Sequence, residues 1–95
     1  MKNLRRKWIT IEINIRNNKQ RVNWLISKNS RNEIIYRACL KKDGNAWRVF
    51  GVRVKCKRYV AKRLTEFMDD NSRLPAVAAF HIFKLYGYKF TIERN

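Results

Sequence analysis

The sequence is poor in acidic residues and in the residue types that catalysis and metal binding usually need. Its 95 residues include seven Asp and Glu, one His and two Cys. Two cysteines are too few for a disulfide framework, and with a single histidine we expect no zinc site. Asp69 and Asp70 are the only adjacent carboxylates, and neighbouring positions on a helix point in different directions. We therefore predict no enzyme, no metal and no cofactor.

Long apolar runs are also lacking. The longest one, residues 74–83, is interrupted by His81 and is much shorter than the run of about 20 residues that a membrane-spanning helix needs. The basic N-terminus is followed by alternating residues rather than by the apolar stretch of a signal peptide. We expect a cytoplasmic or nucleoid-associated protein without a membrane partner.

The length predicts one domain, too small to combine its core with a deep substrate cleft. Hydrophobic residues make up 45% of the chain and aromatic residues 13%, which favours a folded protein over a disordered basic tail. We expect residues 1–7 to form a flexible basic arm and residues 8–95 to form the domain.

The predicted domain begins with two segments in which apolar residues occur at every second position. The isoleucines at positions 9, 11, 13 and 15 alternate with polar residues and Trp8, which is typical of a half-buried strand with its isoleucines toward the core. Residues 17–20 are rich in Asn and predict a turn. Residues 22–26 alternate again and are interpreted as a second strand with Trp24 toward the core, although a short helix fits so brief a run.

A hairpin is predicted at Asp43-Gly44, a dipeptide typical of tight turns between strands. The strand before this turn is predicted over residues 33–41. A two-residue turn pairs Leu40 of that strand with Trp47. A bulge near Gly51 would keep the following apolar residues on the same face.

The C-terminal half predicts two helices and a last strand. Val60, Leu64, Phe67 and Met68 recur at helical spacing within residues 57–71. A second helix is expected over residues 74–86, capped by Asn71 or Ser72, and a strand over residues 88–93. The fold class is therefore α+β, with an antiparallel sheet of three to four meander strands followed by two helices and a C-terminal strand.

Positive charge dominates the functional interpretation. The net charge is +16, and residues 53–63 carry six cations and no acid, which we interpret as one continuous positive surface. Such a surface neutralises phosphates with a steep salt dependence. The candidate nucleic-acid-binding residues lie in the N-terminal arm, on the strands and on the first helix: Arg5, Arg6, Lys7, Trp8, Arg37, Lys41, Arg48, Arg53, Lys55, Lys57, Arg58, Lys62 and Arg63.

Two binding modes are open at this point. The alternation places Arg37, Lys41, Arg48, Arg53 and Lys55 on the sheet face away from the core, where a sheet can read the major groove. In the other mode, the basic N-terminal half of the first helix approaches the phosphates. Trp8 is expected opposite the isoleucines, where it would be available to stack on a base.

The order of three strands and a helix resembles the sheet-reading DNA-binding domains of the integrase-arm type. The residues that carry this resemblance are Tyr-Arg-Ala-Cys-Leu at 36–40 and Lys-Leu-Tyr-Gly at 84–87. The chain has two predicted helices where that pattern has one, so the resemblance is a topological analogy that implies a DNA-reading sheet.

We expect a nucleic-acid-binding protein that acts by occupancy as an accessory or regulatory factor, with duplex DNA slightly favoured over RNA. The short, Lys-, Asn- and Ile-rich chain suits a phage or plasmid. One alternative is an inhibitor or assembly factor whose basic face docks on an acidic host protein or on a machine such as the ribosome or a polymerase. A second alternative is a small ribonuclease toxin.

Overall fold

A six-stranded antiparallel sheet and two helices form the fold. The structure, a computed structural model, describes residues 5–93 apart from the side chain of Ile15. The strands follow one another in the sheet in chain order: β1 (Arg5–Ile15), β2 (Asn18–Lys28), β3 (Ile34–Asp43), β4 (Ala46–Val49), β5 (Val52–Lys55) and β6 (Thr91–Glu93), with α1 (Arg58–Asp70) and α2 (Ala76–Lys84) between β5 and β6. The predicted α+β class is confirmed, and the meander has more strands than predicted.

The turns account for the additional strand and for the shifted boundaries. Arg16 and Asn17 both have positive φ, 50° and 66°, as a two-residue type I′ hairpin requires. β2 therefore starts at Asn18 and includes most of the predicted turn. Phe50 and Gly51 also have positive φ, 51° and 80°. The predicted bulge is instead a tight turn that divides one long strand into β4 and β5.

The predicted pairing at the Asp43-Gly44 hairpin is wrong by two residues. Asp43 pairs with Ala46, so Gly44 and Asn45 form the turn, and Leu40 lies opposite Val49 rather than Trp47. Gly44 has φ +61°, the geometry of a turn with glycine at its first central position. Because a shift of two residues keeps each side chain on its face, the predicted faces of β3 and β4 are correct.

The two predicted helices are present with shorter bounds. Phe67 accepts a hydrogen bond from the Asn71 side chain, 2.8 Å from Nδ2 to the carbonyl oxygen, at the end of α1. Pro75, not Asn71 or Ser72, occupies the N-cap of α2. Gly87, with φ +88°, follows the end of α2. Neither helix is long and apolar enough to span a membrane, and no other helix occurs within residues 5–93.

Both helices pack on one face of the sheet. The buried cluster contains Leu40, Val49 and Val54 from the strands and Leu64 from α1, with Phe83 from α2. The ring of Tyr88 stacks on that of Phe83, with centroids 4.8 Å apart. Burial of these side chains stabilises the sheet and helices as one unit.

The first hairpin has the opposite orientation to the one predicted. Trp8 pairs with Leu25 and packs against the core under the helices. Ile9 pairs with Trp24, so the isoleucine side of β1 and the Trp24 side of β2 lie on the face without helices. Alternation separates the two sides of a strand but does not say which side the helices cover, and here Trp8 provides the contact.

The predicted N-terminal arm is in part a strand. Residues 1–4 lie outside the described residues, whereas Arg5, Arg6 and Lys7 belong to β1 and pair with the end of β2. Arg6 forms ion pairs with Asp69 and Asp70 of α1. These contacts fix the start of β1 across the end of α1.

Candidate nucleic-acid interface

The open face is the side of the sheet opposite α1 and α2. Cross-strand partners share a face, and one row runs across four strands: Lys41 lies opposite Arg48, Arg48 opposite Arg53, and Arg53 opposite Glu93. Arg37 and Lys55 have the same parity as Lys41 and Arg53 on their strands. The structure thus brings together on this face the five cations that the alternation assigned to it.

Two carboxylates neutralise one half of the open face. Asp43 Oδ2 lies 2.9 Å from Arg48 Nε and 3.5 Å from Arg53 Nε. Glu93 pairs with Arg53 and lies 3.3 Å from Lys55 Nζ. Five cations and two carboxylates leave a surplus of three positive charges among these residues.

The two arginines of this half are also held by hydrogen bonds. Arg48 Nη1 donates to the carbonyl oxygen of Gly51 at 3.0 Å, and Arg53 Nη2 donates to the Asn45 side chain at 3.0 Å. Several guanidinium donors are therefore already used within the protein. The side chains keep their charge but present a fixed orientation.

The other half of the open face carries cations without a carboxylate partner within residues 5–93. Lys7 on β1 and Arg37 on β3 lie opposite Ile26 of β2, one on each side. Lys41 on β3 lies opposite Val22 of β2. Ile26 and Val22 are 8% and 3% exposed although neither α1 nor α2 covers them. Long basic side chains commonly cover apolar neighbours with their methylene stems. The uncompensated charge of the open face is thus concentrated at β1–β3.

Trp24 lies at the centre of this half. It pairs with Ile9 on one side and with Cys39 on the other. The Arg37 guanidinium carbon is 5.7 Å from the centroid of the indole, within the range of a cation–π contact. The ring is half-buried and its Nε1 is fully buried, so whatever the ring presents to solvent is carbon.

Trp8, the aromatic residue predicted to stack on a base, is half-buried on the helix side of the sheet. Its Nε1 donates to Glu66 Oε1 at 3.1 Å, and Lys62 Nζ lies 5.5 Å from its ring centroid. Arg63 lies 3.7 Å from the second oxygen of Glu66. Trp8 therefore links β1 to α1 through Glu66 and Lys62, and Arg63 pairs with Glu66 within α1.

The sheet divides the positive surface that the sequence suggested for residues 53–63. Arg53 and Lys55 face away from the helices, whereas Lys62 lies on the helix side against Trp8. Lys57 and Arg58 are exposed at the start of α1, where no side chain caps the helix. The predicted continuous surface is therefore wrong, and the helix mode keeps only Lys57 and Arg58 as uncommitted cations among the described residues.

Asp69, near the C-terminal end of α1, is 8% exposed. Its Oδ2 lies 3.5 Å from Arg6 Nε. Burial raises the pKa of the Asp69 carboxyl, while Arg6 opposes the rise. The helical period of α1 contains the signal for this burial, since Asp69 follows Ala61 and Thr65 at intervals of four.

Two other features of the described residues carry little charge. A groove of about 600 Å³ lies between α2 and β6, lined mainly by apolar side chains, with His81 and Lys84 beside them. Cys39 and Cys56 are free thiols, and burial raises the pKa of both. Among the candidate binding residues, the open face carries Lys7, Arg37, Lys41, Arg48, Arg53 and Lys55.

Comparisons with models of protein families, with curated proteins and with solved structures found no match for this chain.

Proposed function

We propose that the protein binds nucleic acid on the open face of its sheet and acts by occupancy, as an accessory or regulatory factor of the cytoplasm. The observation that carries this proposal is the surplus of positive charge on a sheet face that no helix of residues 5–93 covers. Phosphates supply the opposite charge and release counterions on binding.

The roles of the cations differ in this proposal. Arg37 and Lys41 contact phosphates directly, because no carboxylate holds them within residues 5–93. Arg48, Arg53 and Lys55 supply a positive flank whose charge is partly balanced by Asp43 and Glu93. The same division predicts that substitutions at Arg37 and Lys41 have the larger effect on affinity.

The test is fluorescence anisotropy with labelled duplex DNA, single-stranded DNA and duplex RNA over a series of salt concentrations. We expect the double variant R37E/K41E to weaken binding. The negative slope of log K against log salt should become shallower by about 1.4 to 1.8, because two phosphates are no longer neutralised. The matched control is K84E/K89E, which reverses two exposed lysines outside the sheet.

Equal losses in both double variants would mean that net charge alone drives binding, and would contradict a site on the open face. Weak binding of all three nucleic acids that disappears near physiological salt would reject the proposal. That result would favour an acidic protein as the partner of the basic face.

A further inference from the structure

We infer that the nucleic acid bound by the open face is single-stranded, with a base stacked at Trp24. This inference rests on the proposed function and names its substrate class. It differs from the preference for duplex DNA that the sequence suggested. The reason is that the cations without a carboxylate partner within residues 5–93 adjoin the apolar side chains of the open face.

The arginines best placed to read a duplex groove are already engaged. Bidentate recognition of guanine needs a free guanidinium edge. Arg48 donates to Asp43 and to the Gly51 carbonyl, and Arg53 pairs with Asp43 and Glu93. Groove reading would have to break these contacts and leave both carboxylates close to phosphates.

Cations without a carboxylate partner within residues 5–93 surround an apolar surface instead. Lys7, Arg37 and Lys41 lie on the strands next to Trp24 and in register with Ile26 and Val22. Ile11 continues this surface on β1 and is 39% exposed. A duplex would place its charged backbone over these side chains, whereas the unstacked bases of a single strand bring apolar faces to them.

Trp24 has the environment of a stacking platform. Its polar Nε1 is buried, and Arg37 lies over the ring at 5.7 Å from its centroid. Arginine planes and aromatic rings both stack on bases, and the neighbouring cations can contact the adjoining phosphates. Because stacking accepts every base, this site has little sequence preference.

The experiment uses the full-length protein and two probes of equal length, a single-stranded mixed-sequence DNA and its duplex. Trp24→Ala should weaken single-strand binding by about 5- to 150-fold, the range for loss of one stacked base. Trp24→Phe should restore most of the affinity because it keeps an aromatic face. Thermal melting of both variants establishes that they are folded.

Tryptophan fluorescence provides an independent reading of the same contact. Single-stranded DNA should quench the wild type and the Trp47→Phe variant but not Trp24→Phe. Trp47 is the matched control, because it is 9% exposed on the helix side and also carries a cation–π contact, with Lys42 at 4.7 Å.

The outcomes separate this inference from the function on which it rests. Duplex binding as tight as single-strand binding, or quenching that persists in Trp24→Phe, would overturn the single-strand inference and leave nucleic-acid binding in place. If neither probe binds at physiological salt, both proposals fail.

Discussion

Asp43 limits the charge of the open face, so its removal should strengthen binding. The carboxylate is shared by Arg48 and Arg53, at 2.9 and 3.5 Å, and its side chain is 39% exposed. Substitution to Asn keeps the shape and removes the negative charge. We expect Asp43→Asn to raise affinity for nucleic acid, which is the opposite of what most substitutions at a binding surface do.

The magnitude follows from one unit charge near the bound phosphates. At about 8 Å in water such a charge contributes about 0.5 kcal/mol, or about a twofold change in affinity. A released guanidinium should also contact one more phosphate, which steepens the slope of log K against log salt by about 0.7 for a single strand. The assay is anisotropy of labelled single-stranded DNA over a series of salt concentrations.

Glu12→Gln is the matched control. Glu12 also forms an ion pair with a cation, Lys19, at 3.9 Å. It lies opposite Arg21 of β2, on the sheet face away from the isoleucines. This variant changes net charge by the same amount and should leave the slope unchanged. The reasoning is refuted if both variants steepen the slope equally, or if a folded Asp43→Asn protein binds more weakly than the wild type.

Two further predictions concern stability, measured by urea denaturation. Leu64→Ala should lower the free energy of unfolding by about 3 to 5 kcal/mol, because Leu64 is fully buried in the core; Leu85→Ala, at a residue that is 85% exposed, should change it by less than about 0.5 kcal/mol. Burial raises the pKa of the Asp69 carboxyl in the folded state. The carboxyl therefore contributes to the free energy of unfolding below about pH 4, and this contribution is lost as pH rises through the folded-state pKa. The stability of Asp69→Asn relative to wild type should therefore increase between about pH 4 and pH 7, and a pH-independent difference would contradict this account.

The sequence predicts the elements better than their contacts. Both helices and the α+β class follow from hydrophobic spacing, which is a local property. The predicted turn at Asp43-Gly44 is displaced by one residue and its strand pairing by two, because Asp43 fits the turn as well as it fits the strand end. The turn at Gly51 resembles a bulge in the sequence, since a glycine within an alternating pattern is compatible with both.

The candidate site can be predicted in part. The parity of β3–β5 is enough to place Arg37, Lys41 and Arg48 on one face. The prediction that Trp24 lies in the core depends on the assumption that its strand directs its even-numbered apolar residues toward the helices. That assumption fails because β2 is apolar on both sides: Leu25 lies beside Trp8, and Trp24 beside Ile9. Only tertiary packing decides which side the helices cover.

The ion pairs of Asp43 and Glu93 with the arginines can be recognised only once the fold is known. Asp43 and Glu93 are 50 positions apart, and only the order β3–β4–β5–β6 brings both to the row of Arg48 and Arg53. No local pattern connects a C-terminal three-residue strand with a hairpin in the middle of the chain. This pairing changes the functional interpretation, because it commits the very arginines that a duplex-reading sheet would use.

The distribution of all seven carboxylates strengthens the case for an anionic partner. Each one has a polar or cationic partner within the described residues: Glu12 with Lys19, Glu33 with Asn29, Asp43 with Arg48 and Arg53, Glu66 with Trp8 and Arg63, Asp69 and Asp70 with Arg6, and Glu93 with Arg53 and Lys55. No further acid is present in the sequence to balance the remaining cations. Their mutual repulsion destabilises the compact state, and a polyanion that binds the folded protein relieves it. Under the proposed function, the same linkage predicts that nucleic acid stabilises the fold most at low salt, where both the repulsion and the binding are strongest.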